Sequence, residues 1–528
     1  MKSNIIIFVL LTGLFQTAIG QHTSTREDRK ALFDYIIEKT KVRESRAPIK
    51  EETLGIDVIE EMMKLEDEVV NASDDVSLFY ALQKLSSARN DRHLSVNEIE
   101  GGLQLPPIDE GQAPIRFHPD YSDSSNYFMF VADLGENIAE FTKKPNQPKI
   151  GDKLVKVNGE DFDSYMQQAE QYIRYSSINN LWRRFAYSLS ERSTDLPPSF
   201  FKEQLTLTLE RKGGKQYEIT LPYLEEVSWQ YGNFIRDYPG YELAWEKESF
   251  QVYTPVEAEN KTLLLWWYGF RGDLQEATDS LIVYAEKNNM LDYDLIIDAI
   301  DSRGGSQGAY ALARLSPHAF KTTGGNLKLS DVTEEFIADY TQGYLAETTR
   351  MDGSGREAED DGTWVMEWLH GPVIQGLTAR QAYSNNTPFK CAHLPHYSDW
   401  IMQPAEKHFT GNMVVFLGPW GGSHLTQFAA MVIDNDLGYT MGMSDGGYSN
   451  TWEWEEDLVF PISKQPVVEF MWSIGHTIRP NGQIAEGNAP MVDEFIPVTR
   501  DNYLDYKKAL LEKARQKLGE NSFKQLYR

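Results

Sequence analysis

The sequence predicts an α/β protein, and three observations carry that prediction. From about Leu263 onward, apolar runs that read as strands alternate with amphipathic runs that read as helices, the grammar of a largely parallel sheet. A region of short strand and turn signals lies between about 101 and 225, and a purely helical pattern precedes it. The chain has 528 residues, so more than one core is expected, because single cores stop growing near roughly 250–300 residues. The expected division is a leader over 1–20, a helical region over 21–100, a strand-rich module over 101–225 and an α/β domain over 226–528.

The leader MKSNIIIFVLLTGLFQTAIG has one charge at Lys2, an apolar run from Ile5 to Leu14 and small residues at Ala18 and Gly20. That pattern reads as a secretory signal cleaved after Gly20. No other stretch has the length and purity of a membrane span, so the expected setting is secreted and extracellular, or periplasmic in a bacterium, with no membrane partner. Cys391 is the single cysteine, which excludes intramolecular disulfides and leaves stability to burial. The formal charge of −28 argues against nucleic acid, whose phosphates are bound by excess Lys and Arg. Sequons at Asn71, Asn260 and Asn385 are compatible with glycosylation in a host that glycosylates exported proteins.

From Arg26 to Leu94, ALFDYIIEKT, IDVIEEMMKLEDEVV and VSLFYALQKLSSARNDRHLSV space apolar residues by three and four, which predicts helices, the last ending in Asp91-Arg92-His93. EGGLQLPPIDEGQAP then breaks the pattern. NYFMFVADL, KIGDKLVKVNG and the pair LTLTLERKGGKQYEITLPY read as strands, and Phe162 to Ile173 as a helix. The stretch from Gly151 to Gly159, GDKLVKVNG, resembles the signature of PDZ domains, which makes 101–225 a PDZ-like module. A helical, proline-bearing insert from Ser176 to Phe200 interrupts it.

In the α/β part, LLLWWYGF, DYDLIIDAID and MVVFLGPW read as strands, with helices over Leu274 to Asn288, from about Gln307, and after Ser423. Trp266, Trp267 and Tyr268 lie in an apolar strand and read as core. Residues 350 to 410 show little periodicity and read as a long excursion that covers a cleft. WEWEED, near residue 452, reads as a solvated edge or cleft rim, and LDYKKALLEKARQKL as an amphipathic C-terminal helix.

Two turns hold the chemistry. FLGPWGGSHLTQF sets Ser423 behind two glycines where a strand becomes a helix. The serine reads there either as a helix N-cap or as a nucleophile placed beside free amides and the positive end of a helix dipole. IIDAIDSRGGSQG runs a strand into glycines at the C-terminal edge of the sheet, where α/β proteins place ligands.

Together these stretches resemble the tail-specific, or C-terminal processing, serine peptidases. Asp301-Ser302-Arg303-Gly304-Gly305 fits the family's glycine loop, Ser423 fits its serine, and Asp434 lies eleven residues on, as the family's helix requires. The resemblance covers most of the chain after the leader and implies a ClpP/crotonase-like β-α catalytic core behind the helical region and the PDZ-like domain. One departure decides the branch. Where the Ser/Lys members place a lysine, twenty-five residues after the serine, this chain has Tyr448, a poor base at neutral pH. The motif after the serine also departs, reading Ser423-His424-Leu425-Thr426. The lysine-less Ser-His-Glu branch, which includes the chlamydial protease-like activity factor (CPAF), is matched instead: LQKLSSARNDRH places His93, and NGQIAEGNAPMVDEF places Glu486.

The resemblance implies that His93 takes the Ser423 proton and returns it to the leaving amine, while Glu486 holds the imidazole. Backbone amides of Gly304 or Gly305 and of His424 would form the oxyanion hole. Taken singly, His93 also reads as a helix C-terminal cap and Glu486 as one of 79 acids. His424 is a rival base, though neighbours on a helix do not face each other. Cys391, His393 and His396 have a metal-like spacing without the further ligands that zinc wants, so neither a metal nor a cofactor is expected. The expected function is a secreted serine endopeptidase acting on protein or peptide substrates through an acyl-enzyme, with homodimer assembly left open. The alternative is a non-catalytic peptide- or ligand-binding protein on the same fold.

Overall fold

Helices come first in the computed structural model, which describes residues 24–231, 238–257, 259–352, 363–389, 392–393, 399–449 and 452–519. The expected leader lies outside them. Arg26–Arg43 opens on a capping box in which the Thr25 hydroxyl accepts from Asp28 N while the Asp28 carboxylate accepts from Thr25 N. Two of the amides that a helix start leaves open are thereby satisfied. Leu32, Phe33, Ile36 and Ile37, spaced by three and four, are its buried face.

Asp75–Ser87 starts on a second capping box at Asp74 and buries Leu78, Leu82 and Leu85. The helix expected to reach His93 ends at Ser87, because Asn90 takes a φ of 51°, a left-handed conformation that a right-handed helix cannot contain. His93 therefore sits in a turn beyond the helix. Just after it, Val96–Asn97 pairs antiparallel with Pro466–Ser473, which ties this turn to the far end of the chain.

An antiparallel sheet follows, with Ile115–Asp120, Phe128–Leu134, Lys153–Val157, Gln204–Glu210 and Gln216–Pro222 in that spatial order. In its last hairpin Leu205, Leu207 and Leu209 point inward and the residues between them outward, the period of two that a half-buried strand shows. Phe162–Ala169 and Ile178–Ser188 close its apolar face, with Phe162 and Phe185 in the shared core.

The central sheet has seven strands in the order Tyr241–Glu246, Phe250–Pro255, Thr262–Trp267, Asp294–Asp298, Met413–Leu417, Tyr439–Gly442 and Glu494–Phe495. Antiparallel pairing joins the first three; every later pairing is parallel. Leu263, Leu265 and Trp267 pack beneath Leu274–Lys287, Gly308–Leu315 and His424–Asp434. Leu264, Trp266, Ile296, Val414 and Phe416 face the C-terminal helix Tyr506–Gly519. A sheet covered on both faces needs unbroken apolar strands, and each leucine fully buried there contributes about 1.5–3 kcal/mol.

Two expectations change. Part of the excursion over 350 to 410 is helical: Thr363–Trp368, the π turn Leu369–Val373 around Pro372, and Ile374–Thr378 follow one another. Val365, Trp368 and Val373 bury themselves in the cluster built by the N-terminal helices. Burial on one face, with too few residues per element to repeat, hides such a pattern from periodicity. WEWEED is an edge strand, Glu453–Val459, but Trp452 just before it is core, and only alternate residues such as Glu455 and Asp457 reach solvent.

Candidate active site

Ser423 stands at the turn between Met413–Leu417 and His424–Asp434. Its backbone takes φ 59° and ψ −123°, a conformation that a side chain makes strained. The turn is held from beneath, since Ser423 N donates to Tyr448 O at 2.5 Å and Gly446 N to Gly421 O at 2.6 Å. The N-cap reading of the serine is not what the geometry shows: no side-chain cap bond forms. The hydroxyl instead meets His93, with Nε2 3.2 Å from Oγ across 330 residues of sequence.

The glycine loop lies against the same atoms. Arg303–Gly305 pairs parallel with Gly269–Phe270 in a separate two-stranded sheet. A Cβ on Gly304 would stand 2.5 Å from Ser423 Cβ and 2.8 Å from its Oγ, so only glycine leaves the hydroxyl its place. Gly305 has φ 146°, and a Cβ there would lie 1.7 Å from Phe270 O. His424 begins the helix, where its amide has no intrahelical acceptor. Its ring turns into the core, accepts from Gly308 N at 2.7 Å and meets Phe270 edge-on. The rival base is thus a brace behind the loop. Asp434, at the far end of this helix, receives Arg479 through Nε at 3.0 Å and Nη2 at 2.5 Å.

On the histidine side, five elements converge. His93 N donates to Asp91 Oδ1 at 2.9 Å, and Arg92 N to Ser176 Oγ at 3.1 Å. Arg46 Nη1 lies 2.5 Å from Asp91 Oδ2 and 2.8 Å from Glu486 Oε2, and Lys50 Nζ lies 2.6 Å from Glu486 Oε1. Ser449 N adds a contact to Glu486 at 3.3 Å. Glu486 was expected to hold the imidazole directly, but the cations of Arg46 and Lys50 take both of its oxygens and it makes no hydrogen bond to His93. His93 Nδ1 is buried and has no partner among the described residues. Glu486 is linked to the His93 turn through Arg46 and Asp91. Tyr448, at the place of the absent lysine, sets its ring edge-on to the imidazole at 5.3 Å.

Charge follows from this enclosure. Burial drives the His93 imidazole down to about 3, with Arg46, Arg92 and Arg174 adding to the effect and Asp91 opposing it. The ring is therefore neutral near pH 7, with burial opposing the imidazolium. Asp91 would be raised by burial, but Arg46, Lys50 and His93 outweigh that and hold it below the usual carboxylate range.

Several residues that position the site carry no recognisable motif. Ser177 Oγ donates to Gly446 O at 2.9 Å, and Asn180 Nδ2 to Pro419 O at 3.1 Å. With Ser176, the start of the insert therefore touches the histidine turn and the serine turn at once. His393 is buried beside Trp364, whereas Cys391 and His396 lie outside the described residues. Among the described residues, no three His, Cys, Asp or Glu side chains group to hold a metal ion, and no helix is long and apolar enough to cross a membrane.

No sequence-family profile matches the chain, and no curated protein matches it. Solved structures do. Mature CPAF complexed with lactacystin superposes with a TM-score of 0.67 at 14% identity, covering 93% of this chain and 98% of that one. A crystal structure of mature CPAF gives 0.65 at 15% identity, covering 92% of this chain and 96% of that one. The α/β fold of this chain is thus that of CPAF over nearly the whole length of both, the resemblance that the sequence motifs had suggested.

Proposed function

We propose that this protein is a secreted serine endopeptidase that hydrolyses protein or peptide substrates through an acyl-enzyme. One observation carries the reading: Ser423 Oγ, unused as a cap in a strained turn, lies 3.2 Å from a neutral His93 Nε2. A serine hydroxyl becomes a nucleophile when such a base takes its proton. His93 accepts that proton as Oγ attacks the scissile carbonyl, then returns it to the leaving amine. Amides of Gly304 or Gly305 and of His424 receive the oxyanion. Asp91 supplies the negative charge that favours the imidazolium, and Glu486, joined to it by Arg46, acts as a positioning residue. The module over 101–225, read as PDZ-like, binds a chain segment or gates the cleft.

A fluorophosphonate should label the protein at Ser423, and Ser423→Ala should abolish both labelling and release of fragments from casein. Retained labelling in that variant eliminates Ser423 as nucleophile. Lactacystin, the compound bound in the CPAF structure, is a second probe of the same hydroxyl. One observation favours the non-catalytic alternative: the unpartnered His93 Nδ1 leaves the ring without a direct orienting acceptor. Under that reading, casein yields no fragments above the Ser423→Ala control.

A further inference from the structure

A cavity of about 390 Å³ opens beside the serine turn, with Gly304, Gly421 and Tyr448 in its wall. Since Gly304 packs on Ser423 itself, whatever fills the cavity lies within a side chain's reach of the attacked carbonyl. Four guanidiniums line it, those of Arg92, Arg174, Arg184 and Arg303, against one carboxylate, Asp195. In a chain with 51 cations and 79 acids, such an excess runs against the average of the molecule.

Nor are these arginines neutralised in place. None of the four forms an ion pair with a described carboxylate. Arg174 gives one N–H to Leu94 O at 3.0 Å, and Arg303 lies over the Tyr268 ring at 5.3 Å. The Nε atoms of Arg92 and Arg184 are buried with no hydrogen-bond partner among the described residues. Burial, and then the charges of Arg92 and Arg174, push Arg184 down to about 9; burial and Arg92 push Arg174 down to about 10. Unpaired guanidiniums in a half-enclosed space are unfavourable, and a carboxylate is the group whose geometry their planar forks match.

We infer that this cavity is a specificity subsite for a carboxylate of the substrate peptide, supplied by an Asp or Glu side chain close to the scissile bond. An uncharged residue leaves the forks unpaired, and a lysine adds repulsion. The inference deepens the peptidase reading and rests on it for the substrate class, so its test measures binding rather than turnover.

Ser423→Ala protein is titrated with fluorescent peptides that carry blocked termini and differ only by Glu or Gln at one position, and Kd is read by anisotropy. For at least one position along the peptide, Glu should bind about tenfold tighter or more, the size of one charge-assisted contact. Arg184→Gln in that background should shrink the ratio toward one, and Arg184→Glu should turn the preference toward a Lys peptide. Reversal cannot come from a protein that fails to fold. Equal affinity for Glu and Gln peptides at every position, or no binding of either, overturns the inference without any arginine variant. An unblocked C-terminus that binds while internal Glu adds nothing also overturns it, by assigning the cavity to the chain-terminal carboxylate. Should protein that retains Ser423 cleave no peptide while the Glu preference persists, the peptidase reading falls and the carboxylate site stands.

Discussion

The two halves of the candidate site are held in opposite ways. Ser423 is placed locally: a strand end, a glycine turn and a helix start fix it within a short stretch, and Tyr448 O underpins the turn. His93 is placed remotely. Its turn depends on Arg46, on Glu486, 440 residues away from that arginine, on Ser176 and on a strand pairing with Pro466–Ser473. A nucleophile can be built from sheet geometry that a whole fold class shares, whereas a base brought from another part of the chain needs a dedicated charge network. The first half should therefore tolerate changes elsewhere, and the second should not.

Ser423→Ala tests the local half at its most severe. Activity should fall by roughly 10³-fold or more with thermal stability nearly unchanged, because the exchange removes only a hydroxyl and keeps the Cβ; a loss of folding instead would show that Ser423 is structural. Arg46→Ala is the counterpart on the remote half. It strands Asp91 in a buried space and leaves Glu486 with Lys50 alone, which should cost about 3–5 kcal/mol, measurable by urea denaturation. An Arg46→Ala protein of native stability would show that the network does not hold the histidine turn.

Gly304→Ala should reduce kcat/KM by about 10²-fold through displacement of the nucleophile, at a stability loss of about 1–3 kcal/mol. Unchanged kinetics would mean that the loop yields where the hydroxyl does not. The acid limb of kcat/KM should lie well below 6.5, because the His93 imidazole is held down to about 3 in the free protein. A limb near 6.5 would argue that His93 is solvated in the working state.

The smallest effect concerns stability and pH. His424 is buried and neutral, pushed down to about 3, whereas in the unfolded chain it binds a proton near 6.5. Its folded pKa is the lower, so its contribution is present above about 6.5 and lost as pH falls. His424→Asn removes this dependence. The stability gap between wild type and variant should narrow by about 2 kcal/mol from pH 7.5 to 5; a constant gap would contradict the buried neutral ring.

The difference between the halves also explains what could be read from the residues alone. Apolar strands covered on both faces, such as Thr262–Trp267, and the helices that follow them have strong periodic patterns, so the α/β core was legible. Ser423 was visible because a glycine turn between strand and helix is local. The end of the helix before His93 was misplaced, since a single left-handed Asn90 has no counterpart in a hydrophobic pattern. Arg46, Lys50, Ser176 and Asn180 escaped notice because nothing near them in sequence marks them; their partners lie hundreds of residues along the chain. The indirect route from Glu486 to His93 was hidden for the same reason.

The antiparallel pairing of Val96–Asn97 with Pro466–Ser473 has a consequence in time. A ribosome that has delivered His93 must still deliver more than three hundred residues before the strand that anchors its turn emerges. Contacts so distant in sequence close late, and domains of long chains fold as units while synthesis proceeds. A nascent chain can therefore hold a folded antiparallel sheet while still lacking a joined serine and histidine. The pairing of Ser423 with His93 is thus completed only after most of the chain has emerged.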